Sequence, residues 1–502
     1  MKKSLWQKDE LKTKYSSLTQ DDHVDVAIIG GGICGITSAA LLKDHGLTIA
    51  VYEGSTLAAS NTGKSTGNLY MLVDTPLQEL SKKYELAAIS QILAARREAI
   101  ELIEKLIKDF SINCSFKRVP WTLYSAVEEM DQFVEDEYQL AKKLELPVER
   151  LTADNSCMKF LKARGGFQVN HQAQFDPYAY VNQMAQKITS AHCKIYENTR
   201  IEKIQEDERG ILLKTSKGLI HAKTVIHATH TPLGFSPLQT VVAPYREYGI
   251  ANKLNTTEFH DAIYWGYYSG QKLYSFRKHI KNHENYLLMI GSPHKVGQTD
   301  ESKCIETLHH DLDRLDLPLN KDQSIEWSGQ HFRSSDELPF IGEGFTKNTF
   351  LCTGFATDGL VYGTVSAMIF RDIILNKKNS YQHLFKPHRI SSISTKKFVS
   401  ENLNVLEQYV VDYFRASEAT HPEKGQGTIL TYKGHKYAVS KDQQGELSIC
   451  SAVCTHLGCI VHWNNAESSW DCPCHGSRFS SSGKTLEGPA FKDLAEEKRV
   501  DL

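Results

Sequence analysis

"VDVAIIGGGICGITSAALLKDHGLTIAVYE", residues 24–53, changes its hydrophobic pattern twice in thirty positions. A strand-like run, Val24–Ile29, leads into Gly30-x-Gly32-x-x-Gly35. A helical pattern follows over Ile36–Lys43, and a second β-rich run, Thr48–Tyr52, ends in Glu53. Each part has a physical use. Gly30 permits a tight turn, Gly32 lets the backbone approach a pyrophosphate, and Gly35 lets helix and strand pack closely. The helix N-terminus offers amide donors and the positive end of its dipole to phosphates. Glu53 is placed to accept from ribose hydroxyls. The stretch predicts a β–α–β unit that binds a dinucleotide, with Cys34 as a packing residue.

Later segments bear on which dinucleotide. "EGSTLAASNTGKSTGNLY" (53–70) is a Gly/Ser-rich loop. "FDPYAYVNQMAQKI" (175–188) and "IYENTRIEKIQ" (195–205) read as a helix and a strand, and "KTVIHATH" (223–230) as another strand. "ELPFIGE" (337–343) and "TFLCTGFATDGLVYGTVSAMI" (349–369) read as a closing strand, turn and helix. In this order, over about 22–375, they resemble the D-amino-acid and sarcosine oxidase superfamily of flavoenzymes. The resemblance implies FAD in a Rossmann-type α/β domain, with a mixed-sheet substrate domain interleaved. The cofactor segments fall near 22–110, 165–240 and 330–378, and the whole part spans 22–378. FAD would meet Gly30, Gly32, Gly35 and Glu53, and near its ring Gly354 and Gly359. Where the family carries a glycine, this chain has His230, which either caps a strand, the reading taken here, or touches the flavin edge. No His or Cys stands where the family attaches flavin covalently, so FAD is expected to be non-covalent.

That family removes a hydride from a C–N bond, which implies an amine or amino-acid substrate. Arg277 in "LYSFRK" and Arg333 in "QHFRSSDELPF" are candidate carboxylate clamps, because guanidinium makes two parallel hydrogen bonds to a carboxylate. Ion pairs between elements are the plain alternative. Tyr245 and Tyr274 either line the same pocket or fill the core. His294 and Lys295, in "GSPHKVG", read as an exposed turn. Some oxygen-reacting relatives place a lysine on the strand that here reads "YLLMIG", where Leu288 or Met289 falls.

A second chemistry lies near the C-terminus. "CTHLGC" (454–459) and "CPCHGS" (472–477) offer Cys454 and His456, then Cys472 and His475. Two thiolates and two imidazoles suit zinc, or a 2Fe–2S centre with one iron on Cys and the other on His. Zinc fingers group Cys with Cys, and zinc would leave Cys459 and Cys474 idle. With "GPA" at 488–490, these boxes resemble the Rieske iron–sulfur family over about 425–495. The resemblance implies a small all-β domain over 426–502. Cys454 and Cys472 would hold one iron, His456 and His475 the other, and a Cys459–Cys474 disulfide would tie the loops. High-potential members carry a tyrosine where this chain has Phe479, and they share Ser477.

Length bounds the rest: 502 residues imply two or three cores. Net charge is −2 with 24% charged residues, so nothing points to nucleic acid. "MKKSLWQKDELKTKY" lacks the apolar core of a signal peptide, and no run reaches the roughly 18 apolar residues of a membrane span. Scattered cysteines at 34, 114, 157, 193, 304 and 352 suit reduced thiols, and a cytoplasmic location is expected. Residues 379–425 read as a linker, with a helix in "SENLNVLEQYVVDYF" capped by Ser400. The linker also suggests that 426–502 can be removed from a folded flavoprotein. The expected function is a dehydrogenase passing electrons from flavin through the cluster to an external acceptor. Two alternatives stand beside it, a non-catalytic redox sensor and a reductase feeding an oxygenase. No second nucleotide-binding glycine loop supports the latter.

Overall fold

The computed structural model describes residues 2–8, 14–152, 156–208, 210–392 and 422–496. The helix expected from Ser400 lies outside them. Asp22–Ile29, Ile49–Tyr52, Cys193–Tyr196, Leu219–His227 and Thr349–Thr353 form the parallel part of an eight-stranded sheet, in the order Thr349–Thr353, Leu219–His227, Asp22–Ile29, Ile49–Tyr52, Cys193–Tyr196. Phe340–Glu343 adds antiparallel at one edge. Ala27, Ile28 and all of Ile49–Tyr52 are buried, as expected of parallel strands covered on both faces. The helix Ile33–Leu42 crosses the helix Gly359–Ile374 closely: a Cβ added at Gly363 would lie 3.0 Å from Ile33. Pro177–Ile188 forms as its sequence predicts, its first turn capped by Asp176, which accepts from the Tyr178 and Ala179 amides.

A nine-stranded mixed sheet faces this layer. Its order is Leu319–Ser334, Val242–Leu254, Glu284–Lys295, Lys272–Lys281, Ile263–Tyr268, Lys117–Ser125, Gly165–Gln174, Asn68–Leu69, with Val148–Thr152 beside Gly165–Gln174. A 24-residue helix, Leu86–Asp109, packs beside these sheets. Its buried Arg96 ties it to the cofactor layer. The guanidinium donates to the Tyr70 and Met71 carbonyls at 3.0 Å each and pairs with Asp358 at 3.1 Å, at the start of Gly359–Ile374.

His294 and Lys295 are not in a turn. Both belong to the strand Glu284–Lys295, and His294 is buried and stacked on Tyr248. The strand runs on here because the C-terminal domain covers its end: the Gly297 carbonyl bonds His462. That domain has a three-stranded sheet (Gly427–Tyr432, His435–Lys441, Leu447–Ser451) and a four-stranded one (His462–Asn464, Ser469–Asp471, Arg478–Ser480, Thr485–Glu487).

Candidate functional site

A cavity of about 570 Å³ lies between the two large sheets. At one end it is walled by Gly30, Gly32, Ile33 and Glu53, and further along by Ala356, Thr357, Gly359 and Leu360. Gly30 has φ +110°, and a Cβ there would lie 2.5 Å from the Ala228 carbonyl oxygen. A Cβ at Gly32 would approach Thr62 Oγ1 to 2.9 Å. Glycine at these two positions therefore lets the loop pack directly on Ala228 and Thr62 at the cavity wall. Gly35 packs against Gly30 and Gly354 (φ +75°) makes a turn; neither lines the cavity. Glu53 accepts from the Gly31 and Ser55 amides at 2.8 and 2.7 Å, which orders it at the cavity edge, while burial raises its pKa. His230 sits at φ +68°, a conformation glycine would favour. It lines the cavity, bonds Asn61 at 2.9 Å, and is kept neutral by burial, with a pKa of about 4.

The four candidate substrate residues divide. Arg277 is buried, donating to the Thr66 carbonyl at 2.7 Å and the Phe175 carbonyl at 3.3 Å, with its guanidinium over Trp6. Burial lowers its pKa to about 9, and it does not line the cavity. Tyr274 donates to Asp311 within a separate core. Arg333 and Tyr245 come together, but around a neighbouring cavity of about 260 Å³. There Arg333 pairs with Asp74 at 2.8 Å and donates to His331 Nε2 at 3.2 Å. Tyr245 stacks on His331 with centroids 5.8 Å apart. Leu288 and Met289 are core residues; the same strand shows the cavity Ile290 and Gly291 instead.

Sequence reasoning passed over Glu247. It lines the main cavity at a break in the register between Val242–Leu254 and Glu284–Lys295, the kind of irregularity that re-aims a side chain. Burial and Asp74 raise its pKa to about 7 against the pull of Arg333. An acid in an alternating strand was visible in the sequence; the register break was not.

In the C-terminal domain, the loops 454–459 and 472–477 lie side by side, joined by a Cys459–Cys474 disulfide. Cys472 sulfur lies within 4.8 Å of both bridge sulfurs, which are unavailable as ligands. The His456 and His475 rings are 4.9 Å apart, and the Nδ1 atom of each is buried without a hydrogen-bond partner. Ser477 Oγ accepts from the Ala490 amide at 3.0 Å, which fixes the "GPA" loop over the site.

This domain is locked to the rest. Its segment Lys484–Gly488 forms part of the main cavity wall. Gln330, also in that wall, donates to the Gly476 carbonyl at 2.8 Å, one residue from His475. His456 Nε2 lies 3.2 Å from the Gly234 carbonyl oxygen. Beside these contacts, six charges meet in a buried network. Arg246 is 3.6 Å from Asp471 and Lys64 is 3.9 Å from Glu487. Arg478 pairs with Glu467 at 2.9 Å, Asp471 at 3.2 Å and Glu487 at 3.8 Å. Burial alone would raise the carboxyl pKa values. Arg478, with Lys64 and Arg246, instead holds Glu467 down at about 2 and lowers Asp471 and Glu487. Removing 426–502 would therefore take Asp471 from Arg246 and Glu487 from Lys64 and open the cavity, contrary to a freely separable module.

A family model described as "FAD dependent oxidoreductase" matches residues 25–373. The chain belongs to the FAD-dependent oxidoreductase family. A second model, the Rieske [2Fe-2S] domain, matches residues 412–497. The Rieske 2Fe-2S iron–sulfur protein YhfW of Bacillus subtilis (strain 168) is 29% identical over 508 residues, covering 99% of this chain and 97% of that protein. The cytochrome b6-f complex iron-sulfur subunit 1 of Nostoc sp. is 60% identical over 45 residues, 9% of this chain and 25% of its own. Among solved structures, L-proline dehydrogenase from P. horikoshii aligns with TM-score 0.60 at 15% identity, over 75% of this chain and 99% of that one. Glycine oxidase from Geobacillus kaustophilus aligns with TM-score 0.58 at 19% identity, over 72% and 96%. At these identities the likeness concerns the fold.

The cofactors of this oxidoreductase are FAD and a Rieske-type 2Fe–2S cluster. The residues present fit both. The glycine loop at Gly30 and Gly32 and the start of the helix Ile33–Leu42, all lining the cavity, suit the FAD pyrophosphate, with Glu53 at the ribose. Two buried imidazoles with unpartnered Nδ1 atoms, beside Cys454 and Cys472, suit the cluster. Among the described residues no helix is long and apolar enough to cross a membrane.

Proposed function

We propose that the protein is a dehydrogenase oxidising a C–N bond of an amine or amino acid, with electrons passing from flavin through the Rieske cluster to an external acceptor. The flavin part would span 22–378, a linker 379–425 and the Rieske part 426–502. When bound, FAD would accept a hydride and the cluster would take electrons singly. The observation that carries this reading is that one cavity is walled both by the dinucleotide loop and by Lys484–Gly488 of the cluster-bearing domain. Gln330 adds a hydrogen-bonded link from that wall to the residue beside His475. The buried charge network supports a fixed rather than swinging arrangement, since charges so placed are costly to separate. Buried thiols at the scattered cysteines suit a reducing, cytoplasmic setting.

The test is an anaerobic screen of amines and amino acids against the holo-protein, following flavin absorbance and the cluster's electron spin resonance together. A substrate should bleach the flavin and produce the reduced-cluster signal in the same reaction. Bleaching with a permanently silent cluster would defeat the relay.

A further inference from the structure

The mixed-sheet side of the cavity is largely apolar, with Trp265, Leu273 and Ile290, and Glu247 is set among them. Among the described residues the Glu247 carboxylate makes no hydrogen bond and no ion pair within 4.0 Å. The cations around it are committed elsewhere. Arg333 is bound to Asp74 and His331. Arg277 is spent on two backbone carbonyls. Lys64 turns toward Glu487, and Arg200 lies against Gly54 at the nucleotide end. Around Glu247 the cavity thus presents an acid with no cation in contact and, Arg200 at the nucleotide end aside, no arginine free to clamp a carboxylate.

We infer that the site takes a cationic amine with no carboxylate next to the oxidised carbon, and that Glu247 receives its ammonium group. This rests on the dehydrogenase reading above. A buried carboxylate is stabilised by a hydrogen-bonded cation, and an ammonium ligand supplies one. An amino-acid carboxylate in the same place would set a further anion beside Glu247 and Asp74, which discriminates against it. Glu247 also has a chemical use. It takes one proton from the ammonium, so an N–H bond breaks and a carboxyl O–H forms. The freed nitrogen lone pair then assists departure of a hydride from the adjacent carbon to oxidised FAD. The product is an iminium ion, and two electrons leave with the hydride.

The test uses FAD-loaded protein and two probes that cannot be oxidised, tert-butylamine and trimethylacetate, titrated by calorimetry at pH 8. The amine should bind more tightly than the acid. Glu247→Gln should weaken amine binding by about thirtyfold or more, as for other buried charge pairs left with one partner. Glu247→Asp should restore part of it, and flavin content should be unchanged in both variants. Tighter binding of trimethylacetate, or amine binding within about threefold of wild type in Glu247→Gln, would overturn the inference. Anaerobic mixing separates it from the reading beneath. If amino acids bleach the flavin and alkylamines do not, the dehydrogenase stands and this inference falls. If tert-butylamine binds through Glu247 but neither class bleaches the flavin, the recognition stands and the oxidation reading falls.

Discussion

Replacing Arg246 by methionine should loosen the two domains. The guanidinium is 1% exposed, donates to Ser328 at 2.8 Å and Gln330 at 2.9 Å, and lies 3.6 Å from Asp471. Two unit charges at that distance attract by about 5 kcal/mol at an effective dielectric of about 20. Burying the arginine offsets much of this, and Asp471 keeps Arg478, Asn464 and Ser469 after the change. Removing one partner of a buried pair costs about 3–5 kcal/mol, and the retained partners place Arg246→Met near about 3. The network would carry one uncompensated negative charge. The assay is urea unfolding of holo-protein with flavin fluorescence and cluster circular dichroism as separate probes. The cluster transition should move earlier than the flavin transition. Arg246→Met, Asp471→Asn and the double variant should show a coupling of at least about 1 kcal/mol. A loss below about 0.5 kcal/mol, or additive single changes, would refute the interlock.

Glu247→Gln should stabilise ligand-free protein at alkaline pH. A folded pKa of about 7 lies above the ordinary value of 4.5, so the native state holds the proton longer and stability falls as pH rises between the two. The groups acting on Glu247 are Asp74 and Arg333, with neutral His331 beside the arginine. The variant should match wild type near pH 4.5 and exceed it by up to about 3 kcal/mol near pH 8; parallel stability curves would contradict this. Cys459→Ser opens a loop closed over a sequence separation of 15 and should cost about 3 kcal/mol, read as earlier loss of the cluster on heating. Phe479→Tyr places a hydroxyl in the wholly buried cluster core. If it donates to a cluster sulfur, one hydrogen bond of about 1 kcal/mol raises the one-electron potential by about 40 mV, because reduction adds charge to the sulfurs. An unchanged or lower potential would show that this position does not tune it.

Local patterns told most of what is local. The 24–53 stretch formed its strand, glycine turn, helix and second strand because each depends on near neighbours. The boxes at 454–459 and 472–477 likewise carried their four candidate ligands and bridge within six residues apiece. What the sequence hid depends on contacts between distant segments. Arg277 looked available until Thr66 and Phe175 took its donors, and Arg333 until Asp74 did. Glu247 gained its place through a register break with Glu284–Lys295. His294 was buried by stacking on Tyr248, from a strand some forty residues earlier, and by Cys304 of the helix that follows. The linker suggested a detachable module, whereas Lys64, Arg246 and Gln330 reach Glu487, Asp471 and Gly476 across the domain boundary.

The relay within one chain is tested most directly by reducing the flavin alone, photochemically with EDTA under anaerobic conditions, and then following the cluster by freeze-quench electron spin resonance. The account predicts a Rieske signal that appears as the flavin reoxidises, at a rate independent of protein concentration, and much more slowly in Arg246→Met. A reduced flavin beside a silent cluster, or a rate proportional to protein concentration, would contradict it.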